Sequence, residues 1–352
     1  MANRKTTIFL FNLSLDLDNP ILATTNLWVN EFASHFDFVH VYSTHIGRYE
    51  IPANVNVTEL GGGTPLKRIV ALVKLTTLIP RVLLERRNSV VFHHQSPRTA
   101  VFPGLIFRFF GVMQGLWYSH SKKPFSLVLG SLIVNKLYSS SRKSLPLSST
   151  KGNFLGHGID SLEAIKYFNV NVNRENQILF VGRLAPIKRL EECILALGEV
   201  EEPKPAFVAI GPSEKSEQYL RFLDSLSGEL EVKFEREFPI SHNQVFDRMA
   251  RSEMYFAGMR NSVDKSCLEA AASGCFVITT DIASSQLSAM SQFWTKYFGL
   301  DFLPELADQV RLIQSMQRDL RETARLEIQQ NSARMNSASE LISKISESLR
   351  KG

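Results

Sequence analysis

The 352 residues predict an α/β protein built on two parallel sheets, and three observations carry that expectation. Short apolar, β-rich runs recur: TTIFLFNL, FVHVYS, SVVFHH and GLWYSH first, then QILFVGRL, AFVAIG, EVKFE, MYFAG and CFVITT. Such runs suit strands buried on both faces, as parallel sheets require. Helical stretches, among them Pro65 to Arg87 and Leu190 to Glu199, fall between the runs, which is the rhythm of strand–helix–strand crossovers. Finally, 44% hydrophobic and 21% charged residues mark a soluble globular chain long enough for two domains of Rossmann type.

The elements follow in order. MANRKTTIFLFNLSL places two cations before an apolar run, but the run is short, no small-residue cleavage site follows, and Asp16 and Asp18 come next. A first buried strand is expected there rather than a secretion signal. Thr99 to Tyr118 is long enough to span a bilayer, yet Pro103, Arg108 and Gln114 interrupt it and Gly111 and Gly115 punctuate it, so helix, turn and strand are expected. The Ser-rich SSSRKSLPLSST reads as loop and edge structure, and the domain boundary falls just after it, in Lys151 to Asp160. This gives an amino-terminal domain over 1–152 and a second domain over 153–334. The last helix, about 335–352, spaces Leu341, Ile345 and Leu349 by four and is expected to pack back on the first domain.

Charge is unevenly divided. Residues 1–150 hold 16 Lys and Arg against 7 Asp and Glu, and the remainder 24 against 28. A basic first domain is either a solvated surface or one that attracts anionic lipid headgroups or phosphorylated acceptors. The cations lack aromatic interleaving or a binding module, so nucleic acid is not expected. Cys193, Cys267 and Cys275 have no metal-ligand spacing and no disulfide framework, which suits a reducing, cytoplasmic setting.

Two segments carry chemistry. In FVGRLAPIKRL a strand ends at Gly182 and two cations follow, Arg183 and Lys188, where ligands of doubly wound sheets bind. Paired cations there suit a diphosphate, although surface cations after a strand are common. In RNSVDKSCLEAAASG a polar loop runs into a helix from about Asp264 to Ser273, with Gly274 as terminator. The amides at its start can meet an anion. Lys265 and Glu269 are four apart on one face, and Glu269 can accept from two neighbouring hydroxyls, as a ribose offers. An exposed Glu on an amphipathic helix is the plainer alternative.

Together with GHGID and AIGPSEK, these segments resemble, in order and spacing over about residues 150 to 285, the carboxyl-terminal domain of retaining glycosyltransferases of family 4. The resemblance implies the GT-B fold, two Rossmann-like domains with parallel sheets facing across a cleft. It implies that Arg183 and Lys188, with Lys265, bind the donor diphosphate, that Glu269 holds the donor ribose, and that Ser262, Val263 and Asp264 meet the donor sugar largely through backbone amides. Asn261 stands where the family has the first Glu of its E-x7-E motif; it can hydrogen-bond a hydroxyl but brings no charge. Asp264 is expected to cap the helix. In the first domain, His120 resembles the family's active-site His, so His120 and Asn261 are the candidate catalytic residues, and His93 and His94 are candidates for acceptor contact. DLDNPILATTNLW lacks the glycine pair the family places after its first strand.

The implied reaction moves a sugar with retention from a UDP- or GDP-sugar to a glycan or lipid-linked acceptor, in cell-surface polysaccharide or lipopolysaccharide biosynthesis. The cations stand where other enzymes use a metal, so neither metal nor cofactor is expected. An anionic membrane surface is a further expected partner, at the cytoplasmic face. Two alternatives remain: a nucleotide-sugar epimerase of the same fold, which needs cleft carboxylates not found here, and a degenerate binding or scaffold member, suggested by Asn261.

Overall fold

The computed structural model describes residues 6–19, 22, 24–61, 65–168, 173–213, 217–260, 263–280 and 288–351. The chain divides into two compact units, Met1–Gly158 with Ala338–Gly352, and Ile159–Ser337.

The first unit is a seven-stranded parallel sheet. Its strands are β1 (Thr7–Leu15), β2 (Phe38–Ile46), β3 (Val55–Glu59), β4 (Ser89–His94), β5 (Met113–Trp117), β6 (Lys136–Ser139) and β7 (Gly152–Phe154), in the order β3-β2-β1-β4-β5-β6-β7. The sequence pattern anticipates β1, β2, β4 and β5. It misses β3, β6 and β7, which are short and partly polar, and β7 lies inside the segment read as a boundary.

Side-chain alternation divides the core between the two sheet faces. Ile8, Leu10, Val39 and Phe92 point one way, onto Trp28, Val29 and Phe32 of α1 (Thr25–His35) and onto Leu341, Ile345 and Leu349 of the carboxyl-terminal helix. Phe9, Phe11 and Val91 point the other way, onto Leu75, Leu78 and Val82 of α2 (Pro65–Leu84) and Phe107. On that second face α3 (Pro97–Val101), α4 (Gly104–Phe109) and α5 (Phe125–Ile133) complete the layer, with Ala100 and Leu127 packed in one cluster with Leu116 and Leu137. Thr99 to Tyr118 is therefore helix, turn and strand. Among the described residues no helix is long and apolar enough to cross a membrane.

The second unit has a five-stranded parallel sheet whose strands overlap the anticipated runs, β10 only at Phe234 and Glu235: β8 (Glu175–Val181), β9 (Ala206–Ile210), β10 (Phe234–Glu237), β11 (Ser252–Ala257) and β12 (Phe276–Thr279). Its helices are α6 (Ser161–Tyr167), α7 (Leu190–Gly198), α8 (Glu217–Glu229), α9 (His242–Arg251), α10 (Lys265–Ala272), α11 (Ser288–Phe298), α12 (Leu306–Ser315) and α13 (Arg318–Met335); α14 (Ala338–Arg350) belongs to the first unit. The strand order β10-β9-β8-β11-β12 reverses direction between β8 and β11. Ligands of such sheets bind beyond the carboxyl ends of the strands at that reversal.

Candidate functional site

Both motif segments emerge at that switch point. After β8, Arg183 is exposed and, among the described residues, enters no ion pair. Five residues on, a 3-10 turn over Pro186–Lys188 buries Lys188 to 9% exposure. Its Nζ donates to Asp264 Oδ1 and Oδ2 at 2.6 and 2.7 Å and lies 3.0 Å from Met259 Sδ. Lys188 thereby ties the β8 loop to the β11 loop.

That contact corrects one expectation. Asp264 occupies the N-cap position of α10, yet its side chain caps nothing and is committed to Lys188. The backbone amides at the α10 amino end therefore receive no hydrogen bond from the N-cap side chain. The loops touch at backbone level too: a Cβ on Gly258 would sit 2.4 Å from the Lys188 carbonyl oxygen. Only glycine permits that approach.

Further bonds fix the two segments. The buried Tyr255 hydroxyl accepts from the Val181 amide at 3.2 Å and lies 2.8 Å from Ser266 Oγ, which donates to the Val181 carbonyl. Burial pushes the Tyr255 phenol well up, so it stays neutral. Glu192, in the first turn of α7, pairs with Arg189 and with Arg260 at 3.2 Å. Val263 is buried in the core, so only its backbone can face a ligand. Asn261 and Ser262 lie outside the described residues. Helix α10 ends at Gly274, whose φ of 82° is the left-handed terminator expected.

Glu269 lies one turn into α10 and is 5% exposed. Its Oε1 is 3.6 Å from His242 Nε2, on the first residue of α9. Burial pulls the His242 pKa down, and the Glu269 carboxylate more than reverses this, so the net shift is upward. Lys265 shares the cluster: burial lowers its pKa, while Glu269 and Asp160 oppose the fall. Lys265 is the first residue of α10, four residues before Glu269. Sequence reasoning missed His242; the available signal was the helix start SHNQ, where Gln244 accepts from the Ser241 amide at 3.0 Å in a capping box.

In the first unit, His120 follows β5 and is exposed. Its Nδ1 accepts the Lys122 amide at 2.9 Å, so the neutral ring carries its proton on Nε2 as an outward donor. His93 and His94 differ from expectation. His93 is fully buried, with Nδ1 2.9 Å from Thr99 Oγ1, Nε2 3.3 Å from Gln114 Oε1 and the ring stacked on Phe11, and burial lowers its pKa to about 4. Both nitrogens are spent inside the core, which removes His93 from acceptor contact. His94 stacks on Trp28 at 4.3 Å and is 9% exposed, a packing role as well.

A cavity of about 650 Å³ lies at the amino-terminal ends of the central strands of the second sheet, lined in part by Arg174, Glu253, Arg311 and Arg321. Its guanidiniums are occupied: Arg174 with the Met249, Ser252 and Ser273 carbonyls, Arg321 with those of Gln314 and Met316, and Arg311 with Asp308. It is a structural junction beside the Arg325–Glu253 pair at 2.7 Å. Among the described residues no cluster of three or more His, Cys, Asp or Glu could hold a metal ion.

Residues 163–324 match the family model described as glycosyl transferases group 1. No curated protein matches the chain. Among solved structures, HepE of Anabaena in complex with UDP is 14% identical with a TM-score of 0.71, covering 99% of this chain and 100% of that one. Sucrose-phosphate synthase from Thermosynechococcus elongatus is 12% identical with a TM-score of 0.72, covering 99% of each chain. The trehalose 6-phosphate synthase of Burkholderia multivorans is 12% identical with a TM-score of 0.66, covering 99% of this chain and 97% of that one. These likenesses give the chain the two-domain GT-B fold. Over residues 163–324, within the second unit, the chain is thus similar to the glycosyl transferases group 1.

Proposed function

We propose that the protein transfers a sugar from a nucleoside diphosphate donor, UDP-linked before GDP-linked, to a glycan or lipid-linked acceptor with retention, in cell-surface polysaccharide or lipopolysaccharide assembly. The observation that carries this reading is the convergence of Arg183, Lys188 and the α10 amino end at the β8/β11 switch point, with Glu269 one turn behind. HepE of Anabaena has been solved with UDP and with UDP-glucose, which supports the choice of uridine donor.

In this mechanism the departing diphosphate develops negative charge, and Arg183, Lys188 and the α10 amides stabilise it; preorganised donors of this kind are worth several kcal/mol. Glu269 accepts from the ribose hydroxyls. His120 donates from Nε2 to the transferred sugar, and Asn261 hydrogen-bonds a sugar hydroxyl. The leaving phosphate takes the acceptor's proton, so no side-chain base and no metal are required. The acceptor stands at an anionic membrane surface on the cytoplasmic face.

A thermal-shift screen of UDP, GDP, ADP and their sugars tests the reading. The true donor at a hundred times its Kd adds roughly 2.7 kcal/mol of stability. If no nucleoside diphosphate raises Tm, the donor site is wrong. Transfer that persists in excess chelator is the expected result for metal independence. A binding-only member is the second reading, favoured by the commitment of Lys188 to Asp264; it predicts donor binding with neither hydrolysis nor transfer.

A further inference from the structure

From Leu60 to Lys151 the chain carries 14 Lys and Arg and one acid, Glu85. That segment supplies α2, α3, α4 and α5, which layer on one face of the first sheet, so their outer faces point the same way. Those faces are apolar where a solvated surface would be polar. On α4, Leu105 and Phe109 are four apart and 60% and 84% exposed, with Phe109 edge-on to Phe110. On α2, Val70, Val73 and Leu84 share one side of the helix at 100° per residue, all exposed. On α5, Phe125 and Leu132 are two turns apart and 74% and 70% exposed.

Cations flank these side chains. Arg86, Arg87, Arg98, Arg108, Lys122 and Lys123 are exposed and, among the described residues, join no ion pair. Glu85 is taken by Arg81. A water-facing helix layer ordinarily intersperses both signs of charge and keeps large apolar patches small. Exposed aromatic and branched side chains on a layer that also carries exposed cations are instead complementary to an anionic interface, where the rings enter the headgroup boundary and the cations meet phosphate.

We propose that the outer faces of α2, α4 and α5 dock the first unit on an anionic lipid bilayer. The surface stands on its own chemistry, while its purpose, bringing the enzyme to a membrane-borne acceptor, rests on the function proposed above. The α4 edge leads, because Phe109 is the most exposed aromatic of the patch.

The test is co-sedimentation of the full chain with phosphatidylcholine vesicles with and without 30 mol% phosphatidylglycerol, at low and high salt. Binding is expected only to the anionic vesicles, weakened at least tenfold by Phe109→Ser or by Arg98→Glu with Arg108→Glu, and reduced by salt. Both changes are at exposed positions and should leave the melting temperature unmoved. Equal binding to neutral vesicles, no binding to either, or full binding by both variants overturns the proposal. So does a dimer in sedimentation equilibrium that Phe109→Ser dissociates, since the patch would then serve a second copy. UDP titrated into the same samples separates the two readings: UDP binding without vesicle association sinks the docking surface alone, and vesicle association without UDP binding sinks the donor site alone.

Discussion

Lys188 has two partners in prospect, Asp264 in the structure and the donor diphosphate in the reaction, and substitution separates them. In Lys188→Met the Asp264 carboxylate, 2.6 Å from Nζ, loses its counter-ion. Orphaning one member of a buried pair costs about 3–5 kcal/mol. Here the side chains are 11% and 23% exposed, so water partly resolvates the carboxylate and about 2 kcal/mol is expected. For a unit of this size that is a Tm loss of about 4–8 °C. Donor binding falls as well, because charge-assisted hydrogen bonds contribute about 1.5–3 kcal/mol, or roughly 10- to 150-fold in Kd. Lys188→Met with Asp264→Asn removes both charges; it should recover most of the lost Tm and none of the lost affinity, while Asp264→Asn alone should not weaken UDP binding. Differential scanning calorimetry and titration calorimetry with UDP read the two quantities separately. A double variant that regains wild-type affinity would mean that Lys188 only holds Asp264, and the diphosphate assignment would fall.

Three further outcomes follow from the same geometry. Glu269→Gln keeps the shape but loses the charge, so UDP affinity should fall roughly tenfold, and affinity for 2′-deoxy-UDP, which keeps only one of the two hydroxyls, should fall by less; equal losses for both nucleotides would remove the ribose role. His242 has a folded pKa raised above its ordinary 6.5 by Glu269, so its contribution to stability is full below pH 6.5 and is lost as pH rises through the folded value. Urea midpoints from pH 5.5 to 8.5 should show that decline in the wild type and not in His242→Gln, and parallel profiles would contradict it. Gly258→Ala drives a methyl against the Lys188 carbonyl oxygen at 2.4 Å, for a cost of about 1–3 kcal/mol in thermal unfolding together with weaker UDP binding; an unchanged Tm would show that the loops part freely.

The proposed donor site was legible where its chemistry is local. Arg183 and Lys188 announce themselves by following a strand that ends in glycine, and Glu269 by standing four residues from Lys265 on the same helix. The Lys188–Asp264 pair was not legible, because its members are 76 residues apart and the local rule at Asp264, helix capping, gave a different answer. His242 escaped notice for the same reason: it reaches Glu269 from another helix. In the first unit, the strand ends marked His93 and His94 as candidates, but alternation along β4 sends one ring into the layer with Phe11 and Thr99 and the other against Trp28. The strand pattern found every strand of the second sheet, and failed on β3, β6 and β7, where three to five partly polar residues carry too weak a period.

By itself, then, the sequence determined the alternation of buried strands and helices, the two parallel sheets that follow from it, and the cations and carboxylate of the candidate donor motif, since each rests on residues close together in the chain. Only the tertiary structure decided which of these groups are spent on one another. Ion pairs, buried histidines and exposed helix faces depend on which segments the sheet order brings together, and the reversal of strand order between β8 and β11 has no signature in any short stretch of residues.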